Sequence, residues 1–393
     1  MVAQGAPAIS ATSAATGRPL RVAILGAGTI AAVHAANLDQ LPEARLVAVA
    51  DTDTSRAAAL AAPRGAHVLA GLDDLLDGDL LDGDVLNGEP PEGQRRGRKL
   101  PNGAPPGAQT LDAVLVCLPP FATPGVVAQI AARGLHVYAE KPVALTLPDA
   151  LADLDAVRRA GVVAASGYMW RASPIVVRAR EILAGRRVGL VQGTVITGPP
   201  PPAWWRHKAS SGGVLVELAT HVVDLVRLFA GEADRVTCVG AQTLLEEEPG
   251  WGLGSIPGPI IEDVVAAAIT FRSGAVGGIG ATCATTGGRW GLDVVARNLH
   301  LSLDFFPERL TGNVDGEPIL YQPPPPPDIV PHGFSGSASW YLSLRHFLSA
   351  VASRAPGDVA APYEEGVRTL ALTLACERSL AGGGAPADVP PVL

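Results

Sequence analysis

Lysine, cysteine and aromatic residues are all scarce in this chain. Among 30 basic positions in 393 residues, the lysines are Lys99, Lys141 and Lys208. Arginine is planar and permanently charged, whereas lysine is a compact ammonium whose pKa responds to desolvation. A site that needs one point charge at a reacting oxygen calls for lysine, so each of the three is a position to follow. The four cysteines, Cys117, Cys238, Cys283 and Cys376, lie far apart with no C-x-x-C or His-paired metal spacing. They read as reduced core residues of a cytoplasmic protein, and no metal is expected. No apolar run reaches transmembrane length without Gly, Pro or charge interrupting it. The first 18 residues lack the apolar segment of a secretory signal, and residues 1–19 read as a disordered tail. The net charge is −8 and the basic residues are dispersed, which argues against nucleic acid or an anionic membrane as partner. A small neutral or polar ligand fits better.

Apolar residues, at 48%, are ample for burial, and the length exceeds what one hydrophobic core usually serves. Two domains are expected. In "LRVAILGAGTIAAVHAANL" an apolar strand meets a glycine turn and an Ala-rich helix, and "RLVAVAD" follows as a second strand. "LDAVLVCLPP", "FATPGVVAQIAARG" and "LHVYAEKP" continue the alternation of strand, helix and strand. The pattern predicts a doubly wound parallel sheet over residues 20–168. Residues 78–109 break it with a Gly-, Pro- and charge-rich stretch that reads as a disordered surface insertion. The proline runs at 198–202 and 323–327 read as extended connections. From residue 169 onward, strand-like segments separated by turn signals and one helix at "GGVLVELATHVVDLVRLFAG" predict an open, mostly antiparallel sheet. Helical patterning returns near the end. The expected fold class is thus α/β, with a Rossmann domain followed by an α/β domain over 169–393.

Three constellations carry chemistry. Gly26-Ala27-Gly28-Thr29-Ile30-Ala31 is a G-x-G-x-x-A between strand and helix, where glycines permit close approach to a pyrophosphate and the helix supplies amide donors. Asp51, twenty residues after Ala31, ends the second strand, where a carboxylate accepts ribose hydroxyls and repels a 2′-phosphate. NAD is therefore expected over NADP. Glu140-Lys141-Pro142 stands at the carboxyl end of a later strand, which aims Lys141 at the nicotinamide crevice. Glu217, His221 and Asp224 are spaced to share one helix face; His221 suits proton exchange with a hydroxyl, and Glu217 would orient or charge-stabilise it. Upstream, "PAWWRHKAS" sets Trp204, Trp205, Arg206 and Lys208 together, apolar rings beside cations that suit a sugar or polyol.

In that order, together with "VCLPP" and "GYMWRASP", these motifs resemble the Gfo/Idh/MocA oxidoreductases, the group of glucose–fructose oxidoreductase and inositol dehydrogenase. The resemblance runs from about Leu20 to Leu380 outside the insertion. It implies an NAD-dependent dehydrogenase of a secondary hydroxyl in a sugar, inositol or related polyol. Redox-neutral glycosidases and a non-catalytic sugar-sensing regulator share the fold and stand as alternatives. It also implies a homo-oligomer, dimer or tetramer, built through the C-terminal sheet. Carried over by position, Lys141 matches the lysine that contacts nicotinamide and substrate hydroxyl, and His221 matches the catalytic acid/base. Glu217 stands where many members have Asp, and "PPFATP" lacks the His or Asn that commonly follows the prolines. The expected cofactor set is Gly26, Gly28, Thr29, Ile30, Asp51, Leu118, Pro119, Glu140 and Lys141. Tyr168, Arg171, Trp205, Arg206, Lys208 and Asp224 are the expected substrate contacts.

Overall fold

The structure is a computed structural model that describes residues 18–77, 111–245, 260–324 and 338–392. The insertion at 78–109 and the end of the second proline run lie outside the described residues. The first sheet is built from β1 (Leu20–Leu25), β2 (Ala44–Ala50), β3 (His67–Leu69), β4 (Ala113–Val116), β5 (His136–Ala139) and β6 (Ala164–Ser166). Helices α1 (Thr29–Leu38), α2 (Thr54–Ala61), α3 (Leu72–Asp77), α4 (Val126–Ala132) and α5 (Leu147–Ala160) connect them. The strands are parallel in the order β3-β2-β1-β4-β5-β6, the Rossmann order, with the strand sequence reversing between β1 and β4. Successive side chains of a strand point to opposite faces, and both faces here are covered. Val114 and Val116 enter one apolar core while Ala113 and Leu115 enter the other.

The rest of the chain runs α6 (Pro174–Leu183), β7 (Val188–Ile196), α7 (Lys208–Ser211), a π-helical turn (Val214–Leu218), α8 (Thr220–Ala230) and β8 (Ala233–Ala241). It continues with β9 (Val264–Phe271), β10 (Val276–Thr282), β11 (Trp290–Ala296), β12 (Leu299–Phe305), β13 (Glu308–Val314) and β14 (Glu317–Tyr321). Helices α9 (Ser339–Ser353) and α10 (Tyr363–Ala381) and the short β15 (Ala387–Asp388) end it. Nine strands form the second sheet in the order β14-β13-β12-β11-β7-β10-β9-β8-β15, and only the β7–β10 pair is parallel. α8 lies on this sheet where Gly193 of β7 leaves room; a Cβ there would stand 2.4 Å from Val222.

The last two helices return to the first sheet. Leu344, Phe347, Leu348 and Val351 of α9 belong to one of its cores, and Tyr363, Val367 and Leu370 of α10 belong to the other. Further along α10, Leu372, Ala375 and Cys376 enter the core of the second sheet. One helix thus serves both layers, which ties the two sheets together through shared apolar burial.

A buried ionic clamp adds to this. Arg171 donates to both carboxylate oxygens of Asp224, at 2.7 Å each, and to Glu365 at 3.0 Å. Thr369 donates to Asp224 at 2.8 Å, and Arg227 donates to Glu365. The clamp joins the turn after β6, helix α8 and helix α10. Removing one partner of a buried pair leaves an uncompensated charge, which costs about 3–5 kcal/mol. Asp224→Ala is therefore expected to lose stability on that scale, read as the shift of the urea unfolding curve. The double change Arg171→Met/Asp224→Leu is expected to recover most of it; a single variant within about 0.5 kcal/mol of wild type would show that the clamp holds nothing.

Candidate active site

The crevice begins at the glycine turn. Gly26 has φ +93°, a conformation that favours glycine, and a Cβ there would lie 2.6 Å from the Cys117 carbonyl oxygen. A Cβ on Gly28 would meet nothing within 4 Å. α1 starts at Thr29 with no side-chain cap and no acidic residue in its first turn, so its amide donors and positive dipole face open space. Ile30 turns inward against the cores, while Leu118 and Pro119 follow β4 across the crevice. Asp51 follows β2 directly, with its carboxylate fixed by the amides of Ala27 (2.6 Å) and Asp53 (2.8 Å), and by Arg56 at 3.1 Å. An open, uncapped helix start beside a fixed carboxylate at the switch point fits a dinucleotide.

Lys141 follows β5, and its peptide bond to Pro142 is cis. Its ammonium donates to the Glu217 carboxylate at 2.7 Å and to the Glu217 carbonyl oxygen at 2.8 Å. It also lies 5.1 Å from the centroid of the Trp205 ring. Two of its three protons are thereby used. Glu140 turns the other way. Its Oε1 meets His34 Nε2 of α1 at 2.7 Å and its Oε2 accepts the Lys141 amide at 3.3 Å, so it braces the lysine's backbone from within.

The structure brings Lys141, Glu217, His221 and Trp205 together, with a different pairing from the one the helix spacing predicts. Glu217 bonds Lys141, not His221, and its Oε2 is buried without a partner. The reason is local. The segment expected as one helix is a π turn through Leu218, where the Ala219 amide bonds the carbonyl five residues back, followed by α8. The wider turn swings Glu217 off the face that carries His221. Asp224 does share α8 with His221 but is spent on Arg171 and Thr369.

Electrostatics assigns the protonation states. Burial raises the Glu217 pKa to about 7, against the nearby Lys141 ammonium, which lowers it, and with Glu140 raising it further. Burial pushes His221 well below the ordinary imidazole value, and the Lys141 charge lowers it again. His221 is thus neutral at pH 7, with Nδ1 buried and unpartnered and its ring edge-on to Tyr168. A neutral imidazole beside an ammonium can take a proton from a hydroxyl whose oxygen the ammonium stabilises.

The other expected contacts are engaged elsewhere. The Tyr168 hydroxyl bonds Thr220 at 2.8 Å and its side chain is buried. Arg171 and Asp224 lie in the clamp. Arg206 donates to the Pro200 carbonyl oxygen at 3.2 Å, and Lys208 bridges Glu262 (2.7 Å) and Glu377 (2.9 Å). His34, which anchors Glu140, was not singled out by the motifs; its signal is its place on α1, facing the strand that precedes Lys141. Among the described residues no three His, Cys, Asp or Glu side chains converge to hold a metal, and no helix is long and apolar enough to cross a membrane.

Because the folded-state pKa of Glu217 lies above the ordinary value of 4.5, its contribution to stability is fully present below that pH and is lost as pH rises through about 7. Glu217→Gln removes this titration. Wild-type stability measured relative to Glu217→Gln is expected to fall between pH 5 and 8 by on the order of 3 kcal/mol; parallel stability curves for the two proteins would contradict the shift.

Residues 20–86 and 104–168 match the model of the oxidoreductase family with an NAD-binding Rossmann fold, and residues 176–301 match the GFO/IDH/MocA C-terminal domain. The chain is 28% identical over 381 residues to myo-inositol dehydrogenase Hyg17 of Streptomyces leeuwenhoekii, covering 93% of this chain and 99% of that protein. It is 26% identical to inositol 2-dehydrogenase of Rhizobium meliloti over 59% of this chain and 61% of that protein. The alignments to the first three curated relatives span between 44% and 64% of those proteins' lengths. The crystal structure of GenD2 from gentamicin A biosynthesis in complex with NAD superposes with a TM-score of 0.72 at 25% identity, covering 95% of this chain and 97% of that one. With both domain models matched in order on this fold and this glycine turn, the chain belongs to the Gfo/Idh/MocA family of NAD-binding oxidoreductases.

Proposed function

We propose that the protein is an NAD-dependent dehydrogenase that oxidises a secondary hydroxyl of a sugar, inositol or related polyol. The observation that carries this reading is the placement of the Lys141 ammonium beside a neutral His221, at the carboxyl edge of the parallel sheet. NAD, when bound, supplies the hydride acceptor. His221 takes the hydroxyl proton while Lys141 stabilises the negative charge that develops on the oxygen. Glu217 holds the ammonium in place through two oxygens, and Glu140, fixed by His34, holds the backbone that presents it. The likeness to inositol dehydrogenases among the relatives supports the substrate class.

Lys141→Arg keeps the charge but replaces a compact point donor with a planar fork, which does not reproduce the convergence of the Glu217 carbonyl and carboxylate oxygens on one nitrogen. It is expected to lose turnover by about a hundred-fold or more while NADH affinity, read by fluorescence titration, changes little. Wild-type-like turnover would remove Lys141 from the reaction. NADH is expected to bind more tightly than NADPH, because Asp51 opposes a 2′-phosphate.

The outward face of the nine-stranded sheet supports a homo-oligomer. Leu190 and Val276 are register partners on adjacent strands and both are exposed, as is Val239 of β8, while Ala266 and Ala268 between them keep the face low. An exposed apolar face of this kind marks an association surface. Light scattering is expected to give a dimer or tetramer, and Val276→Arg to shift it toward monomer; a monomeric wild type would end this reading.

A further inference from the structure

A row of aromatic rings leads outward from the Lys141 ammonium. The Trp205 ring centroid is 5.1 Å from Nζ, Trp204 is 5.6 Å from Trp205, and Phe121 is 5.8 Å from Trp204. Trp205 packs against the core of the second sheet. Trp204 and Phe121 belong to none of the three apolar cores among the described residues, and Phe121 is 48% exposed. Full burial of a large apolar side chain is worth about 1.5–3 kcal/mol, and the fold forgoes much of that at both positions. The two rings come from opposite sides of the crevice, Phe121 from the turn after β4 and Trp204 from the turn before α7, and meet edge to face at 77°.

Their backbones are fixed in advance. The turn carrying Phe121 is closed by the Ala122 amide on the Pro119 carbonyl oxygen (2.9 Å) and by the Thr123 hydroxyl on that of Pro120 (2.9 Å). The Trp204 carbonyl oxygen accepts from the Ser210 hydroxyl at 2.5 Å, and Pro202 enters the turn extended, at φ −72° and ψ 129°. Rings held this way stack on a ligand at little cost in ordering. Of the two nearby cations, Lys208 is neutralised by Glu262 and Glu377, and Arg206 donates to the Pro200 carbonyl oxygen at 3.2 Å, so both are engaged within the protein at this end of the crevice.

We propose that Phe121 and Trp204 form an outer subsite for a second, uncharged ring, so that the preferred substrate is a glycoside and not a free monosaccharide or inositol. The proposal rests on the dehydrogenase reading and extends it to substrate class. Aromatic rings pack on the apolar face of a sugar and discriminate by contact area.

The test uses the NADH-loaded protein, in which an alcohol binds without turning over. Intrinsic tryptophan fluorescence is titrated with glucose, cellobiose and maltose, and turnover of the same sugars is followed separately with NAD. At least one disaccharide is expected to bind about ten-fold or more tighter than glucose. Trp204→Ala and Phe121→Ala are each expected to reduce that ratio to about three or less. Phe121→Ala removes an exposed ring outside the cores, so it remains informative if Trp204→Ala fails to fold. Equal affinity for glucose and both disaccharides, or a ratio untouched by either variant, overturns the subsite. A ratio present in wild type and lost in the variants, with no turnover of these sugars or of a panel of inositols and polyols, would retain the subsite and sink the dehydrogenase reading instead.

Discussion

The contact between the Lys141 ammonium and the two oxygens of Glu217 is the constraint on which the crevice depends. It joins the end of a strand in the first sheet to the π turn that precedes α8, so it fixes the reacting edge of one domain against the helix that carries His221 in the other. Burial makes the contact costly as well as specific. The Glu217 carboxyl is driven up to about 7 in spite of the ammonium 2.7 Å away, which means that desolvation outweighs the ion pair. Such an arrangement persists only where the surrounding fold holds both partners. That support comes from Glu140 and His34 beneath the lysine, and from α10, which lies in the cores of both sheets.

The Arg171–Asp224 clamp acts on the same joint from the opposite side. Asp224 lies one turn after His221 on α8, and its partners sit on the turn after β6 and on α10. Tyr168, three residues before Arg171, is thereby held with its ring against His221. Residues expected to touch substrate thus position the residue that would accept the proton. Their charge is consumed internally, and the groups left facing the crevice are the ammonium, the imidazole and aromatic rings.

Much of this was legible in the sequence because it depends on local rules. Strand and helix alternation, the G-x-G-x-x-A turn and Asp51 at a strand end need only the neighbouring residues, and the parallel sheet follows the Rossmann order they imply. The strand-like segments between residues 188 and 305 likewise became strands β7 to β12. The return of α9 and α10 onto the first sheet was not legible, since their amphipathic patterns say that a face is buried but not against what. The partner of Glu217 was hidden for another reason. A 3.6-residue period puts it over His221, and only the π turn, which no residue in "GGVLVELATH" announces, turns it to Lys141. Arg171 and Asp224 matched expected contact positions by sequence order, yet their mutual geometry could be seen only in three dimensions.

Glutamate at position 217 has a physical rationale in this setting. One residue offers the ammonium both a main-chain and a side-chain oxygen, and the longer side chain lets the carboxylate reach back to the same proton-bearing nitrogen that its own carbonyl engages. The carbonyl lies within the π turn, where the regular helical ladder is interrupted and a carbonyl lone pair is accessible to a side-chain donor. The lysine is then held in one direction while its third proton remains available. The same burial that raises Glu217 lowers His221, and the ammonium between them opposes a second positive charge on the imidazole. The imidazole is thereby held in its neutral form, and the ammonium is the positive charge that faces it.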